Sequence, residues 1–429
     1  MKSIGVVRKT FGSLSSRNFR LYFFGQIVSN SGTWMQSIAQ SLLVLKITGS
    51  GVDLGLVSAL AFLPVLLFGT AGGLVADRLD KRKLILTTQS LLAMQAAVLG
   101  VLTATGVVRL WMVYSLALLM GFINAVDTPA RQSFVEQMVG RKSVQNAVSL
   151  NSVVMNAARV IGPGIGALLI AVSGEAVCFF VNAGSFGAVV VALLAMDKRT
   201  FFPVEPVIRA KGQIKAGLVY VYRTRELRFT LIAVFLVGTF AYNFQVLIPL
   251  LGIHTYKAGS GSVGALTSFM GAGAVVGGLA AAAIGKTSLK RLGYVSLIFG
   301  VTILALASVS NLVPALIAML PMGAASITFI ALANSNLQLN SDPQMRGRVM
   351  ALYTVAFLGT TPIGAPLVGL VAQDYGTRVA LAMGAVSALI SGPILLFGAR
   401  RRGESRAVDP DLPIEELGQL DVVDGTVVE

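Results

Sequence analysis

The sequence has one cysteine, Cys178, and one histidine, His254, in 429 residues. A protein metal site draws three or four ligands from such residues, so none is expected, and a lone cysteine forms no intramolecular disulfide. Charge is scarce as well: Asp, Glu, Lys and Arg together make up 12% of the chain. No Asp or Glu falls in the middle of a long apolar run; Asp53, Asp127 and Asp374 stand near the ends of such runs. A membrane-embedded enzyme would need clustered catalytic groups, and this composition argues against one; no cofactor is implied. Long polar stretches are also missing, the longest internal one being 197–228, which argues against a sensor or scaffold with a sizeable domain outside the membrane.

What the chain does have is apolar length. It is 55% hydrophobic with 46 glycines, the composition of a polytopic all-α membrane protein. Twelve spans are predicted: helix 1 over 19–45, helix 2 over 53–76, helix 3 over 84–106, helix 4 over 110–126, helix 5 over 147–172 and helix 6 over 175–196. Helices 7 to 12 follow at 229–252, 260–284, 292–310, 312–337, 349–372 and 376–399. Each is long enough as a helix to cross a hydrocarbon core of about 30 Å. The expected organisation is an interfacial segment 1–18, a six-helix bundle 19–196, a linker 197–228 with Pro203 and Pro206, a second bundle 229–399 and a disordered tail 400–429. No removable signal peptide is expected, because the first apolar stretch is too long for one.

Net charge is +15, but the basic residues are spread over loops and do not form one face, so anionic lipid, not nucleic acid, is their expected counterpart. With both termini, the linker and the even-to-odd loops inside, only Lys46, Arg109, Lys257 and Arg378 of the 34 Lys and Arg lie outside, and Arg159 lies within a span. That bias fixes the expected topology in a bacterial plasma membrane, with both termini cytoplasmic.

One loop anchors this topology: Gly73-x-x-x-Asp77-Arg78-x-Asp80-Lys81-Arg82-Lys83, between helices 2 and 3. It resembles motif A of the major facilitator superfamily, with Asp80-Lys81 in place of the usual Gly-Arg. The resemblance implies twelve helices in two pseudo-symmetric six-helix bundles. It also implies a conformational gate of Gly73, Asp77, Arg78, Lys81 and Arg82, in which Asp77 sits against the cytoplasmic start of helix 11 and locks the outward-facing state. A carboxylate is stabilised at a helix N-terminus, which makes that placement physically sound. The bland alternative is a set of topology-setting charges with a cap.

A second landmark is Arg159-Val-Ile-Gly162-Pro163-Gly-Ile-Gly166 in helix 5, which resembles motif C of the exporters in the same superfamily. Missing side chains permit close packing and the proline bends the helix. With the stretches 14–24, 127–135, 151–166 and 346–349, the kinship is to the bacterial enterobactin-exporter-like and multidrug subgroup, over about residues 14–400. Ala117 stands where motif B has its arginine, beside Gly121.

Arg159 is the one charge placed deep in a span, where burial is costly unless it is paired or used. It could hold an anionic substrate, couple to a proton-bearing acid, or be a structural pair. Asp127 is the other coupling candidate, although Asp127 or Thr128 reads more readily as the cap of a separate amphipathic helix over 127–136 with Pro129 at its first position. Gly69-x-x-x-Gly73 in helix 2 reads as a close-packing seam. Helix 1 carries Asn30, Thr33, Trp34, Gln36, Gln40 and Ser41, so that face should line a cavity or pack on other helices.

The halves repeat: 72–74 aligns with 277–279, and Gly162-Pro163 with Thr361-Pro362, while Ala282 replaces Asp77, so the two gates should differ. Asn30, Trp34, Tyr242, Asn243 and Gln245 are the expected substrate contacts, with Asn124, Asn151, Asn156 and Met270 behind them. The resemblance implies a monomeric secondary transporter that exports an amphipathic small molecule, with protons as the coupling ion. Lysophospholipid flipping on the same fold and, further off, a non-transporting sensor are the rivals.

Overall fold

The computed structural model describes residues 12–141, 143–202, 213–285 and 287–400, whose regular structure is entirely helical. The tail from residue 401, residues 1–11 and the proline-bearing part of the linker lie outside the described residues, as does the side chain of Asn156. In the first half, helix 1 runs Arg17–Thr48, helix 2 Gly51–Arg78, helix 3 Lys81–Ala104, helix 4 Leu110–Val139, helix 5 Val144–Ser173 and helix 6 Glu175–Leu194. A linker helix, Gln213–Arg223, precedes the second half. There helix 7 comprises Arg225–Phe240 and Phe244–Leu250 with a π turn to Thr255; helices 8, 9 and 10 are Gly259–Ile284, Leu289–Ser308 and Leu312–Leu339. Helix 11 comprises Arg346–Phe357 and Thr361–Tyr375, and helix 12 is Thr377–Arg400.

Eleven of these are long and apolar enough to cross a membrane. Helix 1 is the exception, at 32 residues the longest of all but too polar. Its glutamines Gln26, Gln36 and Gln40 are turned inward, which relieves the cost of facing lipid. Gln36 accepts from Asn182 of helix 6 at 2.7 Å and donates to Gln95 of helix 3 at 3.3 Å, and Gln26, Ser29 and Gln40 are buried. Gly49, at φ 64°, ends the helix in the left-handed region that glycine tolerates.

The repeat is visible in packing. A Cβ on Gly72 would strike the Ala125 carbonyl of helix 4, and one on Gly277 would strike the Ala324 carbonyl of helix 10. Gly69 faces open space, so the close approach of helix 2 to helix 4 is made at Gly72 and the predicted seam does not run through Gly69. The reason is register, since one face of the helix meets helix 4 and Gly69 points away from it.

Helix 4 corrects a second expectation. It continues without a break through Asp127, Thr128 and Pro129 to Val139, so no separate capped helix begins there. Pro129 supplies no N–H to the carbonyl four residues back. That carbonyl, Ala125, is the one lying against Gly72. Helices 7 and 11 depart the other way, each broken in mid-span. At the first break the Asn243 side chain donates to the Thr239 carbonyl at 2.7 Å, and at the second Pro362 starts the new segment.

Candidate functional site

The ends of the molecule differ, and "basic end" here means the end with the 73–83 loop. At the far end the two halves touch along two seams. Helix 2 meets helix 11, where Cβ atoms on Gly51 and Gly55 would strike the backbone at Gly369 and Ala365, and Ser50 donates to Gln373 at 2.8 Å. Helix 5 meets helix 8 through the predicted motif C segment. Gly264 lies against Pro163 and Ala167, Gly271 against Arg159 and Val160, and Ser268 Oγ donates to the Val160 carbonyl at 3.1 Å.

Motif C is therefore two-sided. Gly162 and Gly166 pack on helix 1, with an ideal Cβ at Gly162 only 2.6 Å from the Ser31 carbonyl and 2.8 Å from Trp34 Cβ. Pro163 frees the Arg159 carbonyl just where Gly271 of the other half approaches. Toward the basic end the same faces separate. Val153, two turns before Val160, and Val275, one turn past Gly271, are exposed. The basic-end segment of helix 11, Arg346–Phe357, packs on helices 7 and 10 and on the linker helix instead of on helix 2.

At the inner edge of the helix 5/8 seam two predicted residues meet, with a third within electrostatic reach of them. The Arg159 guanidinium carbon lies 5.1 Å from the centre of the Trp34 ring, a cation–π contact. Its Nε is buried without a hydrogen bond, and no acid pairs with it among the described residues. Tyr242, at the helix 7 break, stands in the field of Arg159. Its hydroxyl, near Ser326, is buried without a hydrogen-bond partner, and Ser326 Oγ donates to the Gly323 carbonyl at 2.8 Å. Behind it the rings of Phe244, Phe299 and Phe357 lie 5.0, 6.0 and 5.0 Å away.

The other expected contacts do not join this cluster. Asn30 bonds the Gln26 carbonyl one turn back at 2.7 Å, Asn243 is committed to Thr239, and Met270 is buried with its carbonyl against Gly323 of helix 10. Gln245 is exposed; Asn124 and Asn151 are half-buried.

A second polar cluster lies inside the first bundle. Asp127 is wholly buried within helix 4, not at a helix end as expected. Thr88 Oγ1 and Gln89 Nε2 of helix 3 donate to its Oδ1 at 2.5 and 3.1 Å, and Arg131 Nε lies 2.7 Å from its Oδ2. Arg131 also reaches Gln26 of helix 1 at 3.1 Å. Sequence reading gave Arg131, Gln26, Thr88 and Gln89 no role; the i, i+4 spacing of Asp127 and Arg131 was the available signal.

In the 73–83 loop Asp80, not Asp77, caps helix 3, accepting from Lys83 N at 2.9 Å. Arg82 is buried and closes the end of helix 6, donating to the Leu193 and Leu194 carbonyls at 2.7 and 3.2 Å. Lys81 is buried beside it, Asp77 is half-buried, Gly73 is buried and Arg78 is exposed.

Comparison with known proteins decides what this architecture is. Residues 8–426 match the family of transmembrane secretion effectors. The chain belongs to that family, within the major facilitator superfamily. Among similar proteins are the staphyloferrin A transporter of Staphylococcus aureus, 26% identical over 83% of this chain and 90% of its own, and the multidrug efflux pump Tap of Mycolicibacterium fortuitum, 25% identical over 91% and 98%. The enterobactin exporter EntS of Salmonella choleraesuis is 23% identical over 93% and 96%. A bacterial homologue of the human lysosomal transporter Spinster, in an inward-facing and unoccupied conformation, shares the fold at a TM-score of 0.67 and 13% identity, over 89% of this chain and 95% of that one. This secretion effector is thus a multi-pass membrane transporter of the exporter kind, acting on a small molecule.

Proposed function

We propose that this transporter exports an amphipathic small molecule across a bacterial plasma membrane by alternating access, as a monomer driven by proton antiport. The observation that carries the reading is the asymmetry of contact: the halves touch through glycine seams at the far end and part toward the basic end, with Arg159, Trp34 and Tyr242 at the junction. The positive-inside bias puts the basic end and both termini in the cytoplasm, so this arrangement opens inward. Units 19–196 and 229–399 rock about the seams, joined by the 197–228 linker.

In this reading Gly73, Asp77, Arg78, Lys81 and Arg82 form the inner gate, and Gly162, Pro163 and Gly166 the outer hinge. Asp127, buried within helix 4 with Arg131 Nε 2.7 Å from its Oδ2, is the proton-bearing acid of this reading. Trp34, Arg159 and Tyr242 contact substrate, with Asn30, Asn124, Asn151, Asn156, Asn243, Gln245 and Met270 around them. Names of relatives, a siderophore transporter and a multidrug pump, support a small organic substrate.

The test is uptake into inverted membrane vesicles, which corresponds to cellular export, of dyes, antibiotics and siderophores with and without a pH gradient. Gradient-driven accumulation lost in Asp127→Asn is expected. Accumulation of none of them by an intact, inserted protein, together with movement of a fluorescent lysophospholipid between leaflets, would replace export by lipid flipping.

A further inference from the structure

Arg159 sits 15 residues from the start of helix 5 and 14 from its end, about 22 Å from either end of the helix, which puts it near the membrane midplane. An arginine keeps its charge in any protein setting, and its planar fork is shaped for a carboxylate or phosphate. Cations held at such depth are ordinarily paired. Here the guanidinium lies over the Trp34 ring, Nε has no acceptor, and no acid pairs with it among the described residues. Tyr242 adds a second hydrogen-bond donor without a well-formed bond. These groups come from helices 1, 5 and 7, so they span both halves, and Tyr242 stands at a helix break against an aromatic wall.

We infer that the transported molecule is an amphipathic anion, whose carboxylate-like head is held by Arg159 and the Tyr242 hydroxyl while its apolar or aromatic body lies against Trp34 and the ring cluster. The inference rests on the export reading for the word "transported"; the anion site itself does not. A cationic amphiphile is disfavoured at this spot by direct repulsion from an uncompensated charge. An anion bound here also bridges the two halves, which ties occupancy to the rocking of one against the other.

Trp34 reports on the site directly. The only other tryptophan, Trp111, is exposed, so Trp111→Phe leaves one reporter. Purified full-length protein is titrated at pH 7.5 with benzoate, 4-tert-butylbenzoate and 4-octylbenzoate, each paired with its neutral amide. The expected result is a saturable change in Trp34 emission, with at least one carboxylate binding tenfold or more tighter than its amide. Arg159→Gln abolishes that selectivity, Arg159→Lys keeps part of it, and Tyr242→Phe weakens the carboxylate several-fold while leaving the amide alone. Equal binding of acid and amide in all three pairs, no saturable response to any acid, or selectivity that survives Arg159→Gln overturns the inference.

Lysophosphatidylglycerol as competitor separates sources of the anion. Displacement at equimolar competitor assigns it to a lipid headgroup, and failure to displace assigns it to a soluble amphiphile. The vesicle experiment stays separate: gradient-driven export of cationic dyes without acid selectivity defeats the anion site and keeps the exporter, whereas acid selectivity without any export does the reverse.

Discussion

Arg131 Nε lies 2.7 Å from Asp127 Oδ2, one turn away on helix 4, and the carboxylate is wholly inaccessible to solvent. A buried pair of this kind contributes little net stability, because desolvation offsets the attraction, but removing one partner leaves the other uncompensated. Asp127→Asn keeps both acceptor bonds from Thr88 and Gln89 and strands Arg131. We expect a loss of about 3 kcal/mol. The double variant Asp127→Asn/Arg131→Gln should recover more than half of the fall in melting temperature measured in detergent. Strict additivity of the single effects would show that the two side chains do not act as a pair.

Glycine placement gives a sharper contrast. Gly72→Ala drives a Cβ into the Ala125 carbonyl, backbone against backbone, where neither side yields easily. Overpacking of this sort costs about 1–3 kcal/mol. Gly69→Ala meets nothing and should stabilise helix 2, by up to about 1 kcal/mol from helix propensity. Melting temperatures of the two variants should therefore move in opposite directions. A fall at Gly69 with none at Gly72 would restore the register that sequence suggested.

Those two residues illustrate what the sequence makes legible. Span number, loop polarity and the repeat follow from apolar length and Lys/Arg bias, which are properties of long windows and survive local error. Register does not: Gly69, Gly72 and Gly73 look alike in sequence, and only the partner helix tells which one is crowded. Asp127-Thr-Pro129 reads as a helix start because that grammar describes isolated helices. Tertiary contacts override it, since Gly72 accommodates the carbonyl that Pro129 frees and helix 3 engages the acid. The break at Ala241–Asn243 carries no proline or glycine, so nothing local announces it. Of the site, Trp34, Arg159 and Tyr242 were legible as rare polar or aromatic residues in apolar spans. Their meeting was not, because it depends on how the halves are apposed.

Outside the membrane, one contact should respond to pH. Tyr220 of the linker helix donates to Asp342 Oδ2 at 3.0 Å and accepts from Asp342 N at 3.1 Å, tying the linker to the turn before helix 11. Burial, with the neighbouring carboxylate, raises the phenol above its ordinary value near 10. The neutral phenol is thus favoured by folding, so its contribution is complete below about pH 10, the unfolded value, and is lost as pH rises through the higher folded value. Tyrosinate absorbance of wild type minus Tyr220→Phe should show a group titrating above pH 10. A midpoint at or below 10 would mean that the linker is not docked in solution.

The gate can be tested with the same economy, because Cys178 is the only cysteine and Cys178→Ser gives a clean background. Val153 lies on the helix 5 face that carries Val160, but in the part where the halves have separated, and it is 62% exposed. A maleimide reaching Val153→Cys therefore reports how often the basic end is open. If Asp77 holds that end shut in the opposite state, removing its charge shifts the population toward the arrangement seen here. Asp77→Asn should raise the labelling rate at Val153→Cys several-fold and lower the same reaction at a far-end site such as Ala365→Cys, which is buried against Gly55 of helix 2 in this arrangement. Membrane insertion should be unchanged, since the loop keeps all its basic residues. Equal labelling rates at both sites with and without the substitution would reduce Asp77 to a topological charge and leave the Arg82 contacts to helix 6 as the structural role of this loop.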